Sequence, residues 1–232
     1  LIPDSTDPQA KSQTMTNPLD RLITPEGSGL DPAVLVPLLR LLSKGNPVSV
    51  EDLAAAAGLS EPDVRERLQS VSDTEYDDRD QIVGQGLTLR PTPHRFTVAG
   101  HELFTWCALD TLIFPTLLNQ SATIESTSPA SGQTIRISVT ADTVTSIEPD
   151  TAVLSLVDPD DLSSLRTSFC NQVHFFASPH DAQTWTRENP GNQLLDITHA
   201  HALGKALAEQ ALISPDTARQ AGCCSPDQHE GT

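Results

Sequence analysis

Apolar residues recur at helical spacing near the start of the chain, and capping patterns divide them into three short helices. Asp31 and Pro32 form an N-cap and first-turn pair. The helix that they open carries one apolar stripe: Val34, Leu35, Leu38, Leu39 and Leu42. Ser49 and Ser60 can cap two further helices, separated by Gly58, which can turn the chain. Helix, glycine turn and helix in this order predict a helix-turn-helix.

Strand patterns dominate the chain after these helices. Residues 81–98 indicate two strands around a Pro-Thr-Pro turn, which completes a winged-helix outline. The remaining predicted elements are a hairpin of residues 122–127 and 133–140, a strand over 152–157, a brief helix from Asp158, a helix over 181–188, a strand over 194–197, and a helix capped by Thr198 that ends near residue 212. Strands and helices without βαβ regularity predict an α+β fold of short antiparallel strands and helices.

These patterns divide the chain into two domains and two tails. Residues 1–28 are rich in Pro, Ser, Thr and Asp without periodicity, which predicts disorder. Residues 29–98 form the winged-helix-like domain, which we expect to pack on a second domain over residues 99–213. Residues 214–232 are polar, and we expect a flexible C-terminal tail.

Composition and charge narrow the choice of partners. The net charge is −17 at pH 7, and phosphate binding rests on clustered Lys and Arg, so we expect no nucleic-acid partner. The recognition helix of the winged helix carries more acidic than basic residues: Glu61, Asp63 and Glu66 against Arg65 and Arg67. No apolar run reaches the length of about 18 residues that a membrane span needs. The N-terminal residues lack a signal-peptide pattern, so we expect a cytoplasmic protein with reduced thiols.

The first candidate site lies in residues 103–115, where a helical pattern includes a thiol and a carboxylate. One stripe of this pattern comprises Leu103, Trp106, Cys107, Asp110, Ile113 and Phe114. Asp110 stands where a leucine is expected, and a buried carboxylate must find partners or stay protonated. Cys107 precedes it by one turn on the same face. The pattern indicates a reactive site, although a satisfied core Asp beside an inert Cys has the same pattern.

The second candidate site lies in residues 168–177, whose β-branched and aromatic content predicts a strand. On a strand, Cys170, Gln172 and His174 point to one face and Phe169 points to the other. His174 is therefore either a partner of Cys170 in the site or a hydrogen-bonded structural histidine.

Together, the segments W-C-A-L-D-T-L-I-F-P and S-F-C-N-Q-V-H-F-F-A resemble organomercurial lyase. The similarity runs from about residue 35 to about residue 207 and includes residues 72–77 and 86–90. The resemblance implies an enzyme that cleaves carbon–mercury bonds to give a hydrocarbon and Hg(II). It also implies that the winged-helix-like module has a structural role, packed against the catalytic domain, and does not bind DNA.

The resemblance implies a role for each candidate residue. Cys107 and Cys170 would bind mercury, and Asp110 would donate the proton and later bind the product Hg²⁺. The residue types agree with this chemistry, because soft Hg(II) selects thiolates and the carbon must receive a proton. Trp106 and Phe169, which precede the two cysteines, would be core residues or walls of an apolar substrate pocket. No cofactor is implied beyond Hg(II) as product.

The implied partners are an organomercurial substrate, low-molecular-weight thiols, and a mercuric reductase that accepts Hg(II). Two other classes stay open: a winged-helix metal-responsive regulator and a non-catalytic thiol-based metal-binding protein. The acidic recognition helix argues against the regulator, and hydrocarbon release from an organomercurial would distinguish a lyase from both. Cys223 and Cys224 form a vicinal pair in the tail, which either passes Hg²⁺ on or has no role.

Overall fold

The structure is a computed structural model that describes residues 18–25, 27–157 and 164–213. Its α-helices are α1 (Pro32–Leu42), α2 (Val50–Ala57), α3 (Glu61–Gln69), α4 (Asp110–Leu118), α5 (Leu165–Ser168), α6 (Gln183–Glu188) and α7 (Ile197–Ile213). Its strands are β1 (Glu75–Tyr76), β2 (Ile82–Gln85), β3 (Leu87–Thr88), β4 (His94–Val98), β5 (His101–Thr105), β6 (Ala122–Thr127), β7 (Thr134–Val139), β8 (Val144–Glu148), β9 (Val153–Leu156), β10 (Phe175–Phe176) and β11 (Gln193–Asp196). This content confirms the predicted α+β class.

The three N-terminal helices begin at the capping residues that the sequence predicts. The Asp31 side chain accepts a hydrogen bond from the backbone N–H of Ala33, and Ser49 and Ser60 cap α2 and α3 in the same way. Gly58 ends α2 in the left-handed conformation, at φ 67°, which a glycine adopts without a steric penalty. The helix boundaries therefore follow from residues within one turn of each end.

The main sheet joins the N-terminal region to the rest of the chain. Among the described residues its strand order is β1-β2-β3-β5-β4-β6-β7-β8. The strands β4 and β5 form a hairpin in which Val98 pairs with His101. The predicted boundary between residues 98 and 99 falls inside this hairpin, and the backbone ladder continues across it. Strand pairing across a boundary is a tertiary feature that composition does not reveal.

The predicted hairpin of β6 and β7 is confirmed. Ile135, Ile137 and Val139 of β7 are buried against the core, as their alternation predicts. The sheet then continues to β8, a strand that the sequence analysis missed because its residues are mostly exposed and polar.

A close contact between α4 and α7 supports the start of α4. Gly204 allows it, since a Cβ atom there would lie 3.1 Å from the backbone of Leu112. The helix α7 begins at Ile197, and Asp196 accepts a hydrogen bond from the backbone N–H of His199 at 3.0 Å. Thr198 is therefore not the cap, contrary to the prediction.

The predicted tail over residues 1–28 is too long. Pro18–Arg21 form a 3₁₀ helix, and the side chains of Leu19, Leu22 and Ile23 are buried. These apolar residues stand in a polar stretch without a regular period, so the composition of the stretch concealed them. The segment packs onto the core and, as described below, covers the candidate site.

Residues 103–115 do not form one helix, contrary to the prediction. Leu103 lies in β5, where it pairs with Phe96 of β4, and α4 begins only at Asp110. Cys107 lies in the turn between the two elements. A strand and a helix that bury side chains in the same core together imitate the apolar stripe of a single helix.

Residues 168–177 do not form one strand either. The helix α5 ends at Ser168, a 3₁₀ turn begins at Cys170, and only the short β10 matches the prediction. The backbone N–H of Val173 donates to the Cys170 carbonyl at 3.2 Å. Such local turn hydrogen bonds, set by the surrounding fold, overrule β-propensity. Cys170 and His174 therefore do not share a strand face.

Some predictions fall outside the described residues: the brief helix from Asp158, the tail over residues 214–232, and its Cys223–Cys224 pair. Within the described ranges, no helix has both the length and the apolar character that crossing a membrane requires.

Candidate functional site

Three predicted side chains meet at one place. The ligand atoms of Cys107, Asp110 and Cys170 all lie within 4.8 Å of one another. Both cysteines are free thiols and are buried, with 0% and 2% of their surface exposed. Asp110 is only partly buried, and it lines a cavity beside the two thiols. Two soft ligands and one carboxylate are therefore within reach of a single mercury atom.

A hydrogen-bonded turn keeps Cys107 and Asp110 side by side. The backbone N–H of Cys107 donates to Oδ2 of Asp110 at 3.1 Å. The Thr105 hydroxyl donates to the Cys107 carbonyl at 2.8 Å and fixes the turn from its other end. Asp110 is also the first residue of α4, where free N–H groups and the helix dipole stabilise a carboxylate.

The second cysteine belongs to a turn that is tied to the first. The backbone N–H of Ala108 donates to the carbonyl of Val173 at 3.2 Å, which joins the two cysteine-bearing segments. The backbone N–H of Phe169 donates to the Leu165 carbonyl at 3.1 Å and extends α5 up to Cys170. The position of Cys170 therefore depends on how α5 is held.

Burial controls the ionisation of Asp110 and Cys107. Burial raises the pKa of Asp110 to about 6, although hydrogen bonds from the Cys107 thiol and backbone N–H act in the opposite direction. Burial also raises the pKa of Cys107 well above its ordinary value, together with its hydrogen bond to Cys170 and the nearby Asp110 charge. At neutral pH, Asp110 is thus mostly ionised and Cys107 is protonated. A base lies beside a thiol that holds its proton.

Opposing effects act on the pKa of the Cys170 thiol. The hydrogen bond from Cys107 favours its thiolate, but burial and the charges of Asp110 and Asp73 outweigh that bond, so the pKa of Cys170 is also raised. Arg166 acts in the opposite direction and favours the thiolate. Both thiols therefore need a proton acceptor when they bind a metal.

A small apolar cavity of about 20 Å³ is lined by two of the three groups, Asp110 and Cys170. Trp106 and Phe169, predicted as core residues or pocket walls, both line it. Leu22, Ile23 and Leu30 close it from the N-terminal side, and the sequence analysis did not predict this contribution. The volume corresponds to about one water molecule.

Trp106 connects the cavity to a partly buried ion pair. The guanidinium of Arg166 lies 5.2 Å from the centroid of its indole ring, and Arg166 is paired with the buried Glu75. Among the described residues, the indole N–H of Trp106 has no hydrogen-bond partner. The sequence analysis did not single out Arg166 or Glu75, although residues 72–77 belong to the similarity that it used.

His174 lies away from the cavity lining. Its ring stacks on His94, with centroids 6.5 Å apart, and meets the edge of Phe176 at 6.3 Å. Burial lowers the pKa of His174, which favours a neutral packed ring. Its role in substrate binding stays a prediction, and this placement adds no support to it.

Comparison with known families covers both parts of the chain. The family described as the helix-turn-helix domain of alkylmercury lyase matches residues 13–86. The family described as MerB, alkylmercury lyase, matches residues 87–209, which is more than half of the chain. The chain belongs to the alkylmercury lyase family. This match confirms the resemblance seen in the sequence. It also confirms the prediction that the protein is a lyase.

Individual alkylmercury lyases resemble the chain over most of their length. The enzyme of Streptomyces lividans is 50% identical over 188 residues, which cover 81% of this chain and 86% of that protein. The enzyme of Bacillus cereus is 48% identical over 171 residues, which cover 74% and 78%. A solved structure of the mercury-bound form of MerB2 matches with a TM-score of 0.65 and 26% identity, covering 76% of this chain and 90% of that one. The α+β fold agrees with that of this relative.

Proposed function

We propose that the chain cleaves the carbon–mercury bond of organomercurials by protonolysis, with Cys107 and Cys170 as the mercury ligands and Asp110 as the proton donor. The observation that carries this proposal is the convergence of two buried thiols and one carboxyl within 4.8 Å. An alkyl or aryl mercury compound is the substrate, and the products are a hydrocarbon and Hg(II).

The two thiolates activate the bond. Mercury is soft and prefers thiolate to oxygen ligands. The proton of the first thiol leaves with the ligand that this thiol displaces from mercury, and the proton of the second thiol passes to Asp110. The two sulfurs push electron density through mercury onto the carbon. The carbon–mercury electron pair then accepts a proton, and mercury stays on the sulfurs.

Asp110 transfers a proton from a thiol to the carbon. With a pKa of about 6, it is ionised near neutral pH and accepts a proton from a thiol as that thiol binds mercury. The protonated carboxyl then delivers this proton to the carbon, and the regenerated carboxylate is available as a third ligand of Hg²⁺. Positioned acid catalysis contributes about 10²- to 10⁴-fold, and the thiolates supply the remaining activation.

The apolar walls accommodate the organic group. Leu22, Ile23, Trp106 and Phe169 line the cavity beside the ligand atoms. Their side chains exclude water around the carbon, which favours proton transfer from Asp110. The chemistry uses only side chains of the chain itself, and we expect no resident cofactor.

Release of the product needs competing thiols. A bis-thiolate Hg(II) complex exchanges only with other soft ligands, so low-molecular-weight thiols in a reducing cytoplasm are the expected acceptors. A mercuric reductase would take Hg(II) from them. Cys223 and Cys224 would act in this transfer. The double variant Cys223→Ser/Cys224→Ser tests that role, and it should release Hg²⁺ more slowly while cleaving the substrate at the wild-type rate.

The test of the mechanism is Asp110→Asn, which keeps the shape of the side chain but removes its acidic proton. With methylmercury in a thiol buffer, this variant should still bind mercury, seen by native mass spectrometry, and release no methane, seen by headspace gas chromatography. Cys107→Ser is the matched comparison: it should also release no methane, and it should bind mercury much more weakly than Asp110→Asn because only one thiolate remains. Methane release by Asp110→Asn at the wild-type rate would show that the proton comes from another group.

A further inference from the structure

A carboxylate from the N-terminal region caps the short helix that carries Cys170. Oδ2 of Asp73 accepts a hydrogen bond from the backbone N–H of Arg166 at 3.1 Å. Both carboxylate oxygens of Asp73 lie 3.2 Å from the hydroxyl of Ser164, the N-cap residue of α5. Asp73 thus binds the first turn of a helix that lies more than ninety positions later in the sequence.

A second carboxylate holds the same helix by its side chain. Glu75 is buried, with 7% of its surface exposed, and forms an ion pair with the guanidinium of Arg166. Its other oxygen accepts a hydrogen bond from the hydroxyl of Thr88 in β3, so the main sheet anchors it. The guanidinium held in this way lies over the ring of Trp106. Asp73 and Glu75 together form what we call the acidic clamp.

The acidic clamp is linked to Cys170 by consecutive hydrogen bonds. The Ser168 hydroxyl donates to the Ser164 carbonyl at 2.6 Å. The side-chain amide of Gln172 then donates to the Ser168 carbonyl at 3.0 Å. These bonds connect Ser164, at the start of α5, to the 3₁₀ turn that contains Cys170.

We propose that Asp73 is a positioning residue of the enzyme, which acts with Glu75 to hold Cys170 opposite Cys107. The inference rests on the proposed function only in taking Cys170 as a mercury ligand. It gives the N-terminal region a role in chemistry: this region supplies the part of the active site that sets the separation of the two sulfurs. Two-point binding of mercury requires that separation to be maintained before the metal arrives.

The test measures how often Cys170 is exposed in the metal-free protein. Cys170 is buried in the wild type, so N-ethylmaleimide reaches it only when the α5 segment opens. Asp73→Ala removes charged hydrogen bonds, and we expect Cys170 to be labelled about tenfold faster or more, with a smaller increase at Cys107. Peptide mass spectrometry gives the two rates separately. Asp73→Asn should stay near the wild-type rate, since its amide oxygen can still accept both bonds.

Asp63→Ala is the matched control. Asp63 is an exposed acidic residue in the first turn of α3, bonded to the cap residue Ser60, so its loss weakens a helix end in the same region without touching α5. This control should leave the Cys170 rate unchanged. An unchanged rate in Asp73→Ala overturns the proposal, as does an equal increase at both cysteines or an equal effect of Asp63→Ala.

Turnover provides a second readout. With methylmercury as substrate, Asp73→Ala should lower kcat more than it raises KM, because one sulfur can still capture mercury while both are needed to activate the bond. Asp73→Asn should restore kcat, and failure of this rescue would contradict a positioning role. The labelling assay needs no organomercurial. If it gives the expected pattern while the wild type releases no methane, the proposed function fails and the positioning role stands.

Discussion

At the scale of single residues, Asp110 shows the conflict between stability and chemistry most directly. Its pKa is raised to about 6 because its carboxyl is largely withdrawn from water, although the residue is only partly buried, so its ionised form is disfavoured in the folded protein. The carboxyl is needed in that form to accept a thiol proton and in its protonated form to deliver it. A pKa close to neutral allows both steps, but it lowers the stability of the folded protein at neutral pH.

Because the ionised Asp110 carboxyl lowers the folding stability, we predict that Asp110→Asn stabilises the protein at neutral pH. The folded pKa of about 6 exceeds the ordinary value of 3.8, so folding takes up protons between these values and stability rises as the pH falls through them. A difference of one between the folded and unfolded pKa corresponds to about 1.4 kcal/mol of folding free energy. The variant should therefore gain up to about 3 kcal/mol near pH 7.5 and about half of that near pH 5. Urea unfolding at the two pH values measures the gain, and an equal gain at both would contradict this account.

We expect His94 to give the folding stability the opposite dependence on pH. Burial lowers its pKa to about 3, with a further contribution from His174, and its Nδ1 lies 3.0 Å from the Ser126 hydroxyl. The neutral ring is compatible with the fold, so its contribution is complete above the unfolded pKa of about 6.5 and declines as the pH falls. Between about pH 7.5 and pH 5, this residue should remove about 2 kcal/mol of stability.

The variant His94→Gln tests this dependence by urea unfolding, because a neutral amide cannot take up the proton. It should lose less stability than the wild type on acidification. His101→Gln, at an exposed histidine of β5, is the control and should behave like the wild type. Equal acid sensitivity of His94→Gln and the wild type would mean that another group is responsible.

At the scale of elements, α3 is the second helix of the helix-turn-helix, the position of a recognition helix, but it carries more acidic than basic residues. Val64 and Leu68 are buried, so one face of the helix belongs to the core. Arg65 is paired with Glu61 at 3.3 Å, and Arg67 is paired with Asp31, the cap residue of α1. Both arginines of the helix thus have a carboxylate partner within the protein, which reduces the positive charge that the helix presents.

We therefore predict no binding to duplex DNA at about 0.15 M salt, because acidic residues dominate the exposed face of α3. A gel shift with random-sequence DNA measures this. The double variant Glu61→Lys/Glu66→Lys is the control for sensitivity and should gain weak, salt-dependent binding. A shift with the wild-type protein that weakens as salt is added would revive the metal-responsive regulator.

At the scale of the whole molecule, the net charge of −17 opposes folding. Like charges over the surface repel one another, and salt screens this repulsion over a Debye length of about 10 Å at 0.1 M and about 3 Å at 1 M. Exposed ion pairs such as Arg136–Glu125 are screened as well, but such pairs contribute little.

The melting temperature should therefore rise between about 0.01 M and about 1 M sodium chloride. Differential scanning calorimetry measures the change, and an equal titration with glucose controls for general solute effects. A melting temperature that falls with salt would show that attractive pairs, among them Arg166–Glu75, outweigh the net repulsion.

The sequence by itself determined the features that depend on neighbouring residues. The caps at Asp31, Ser49 and Ser60 specify their helices because each side chain bonds to a backbone group within a few positions. The hairpin of β6 and β7 follows from alternation around a short turn. The segments around Cys107, Asp110 and Cys170 also resembled those of organomercurial lyase, and this resemblance implied a mercury site at the three residues.

Only the tertiary structure decided how these groups meet. The strand, turn and helix around Cys107 and the turn at Cys170 contradict the local patterns, because the surrounding core, not propensity, sets the backbone there. The cover formed by Leu22 and Ile23 and the clamp on α5 by Asp73 join segments that are distant in sequence. Periodicity reports which side of an element is buried but not which element lies opposite, so these contacts could not be predicted from the sequence.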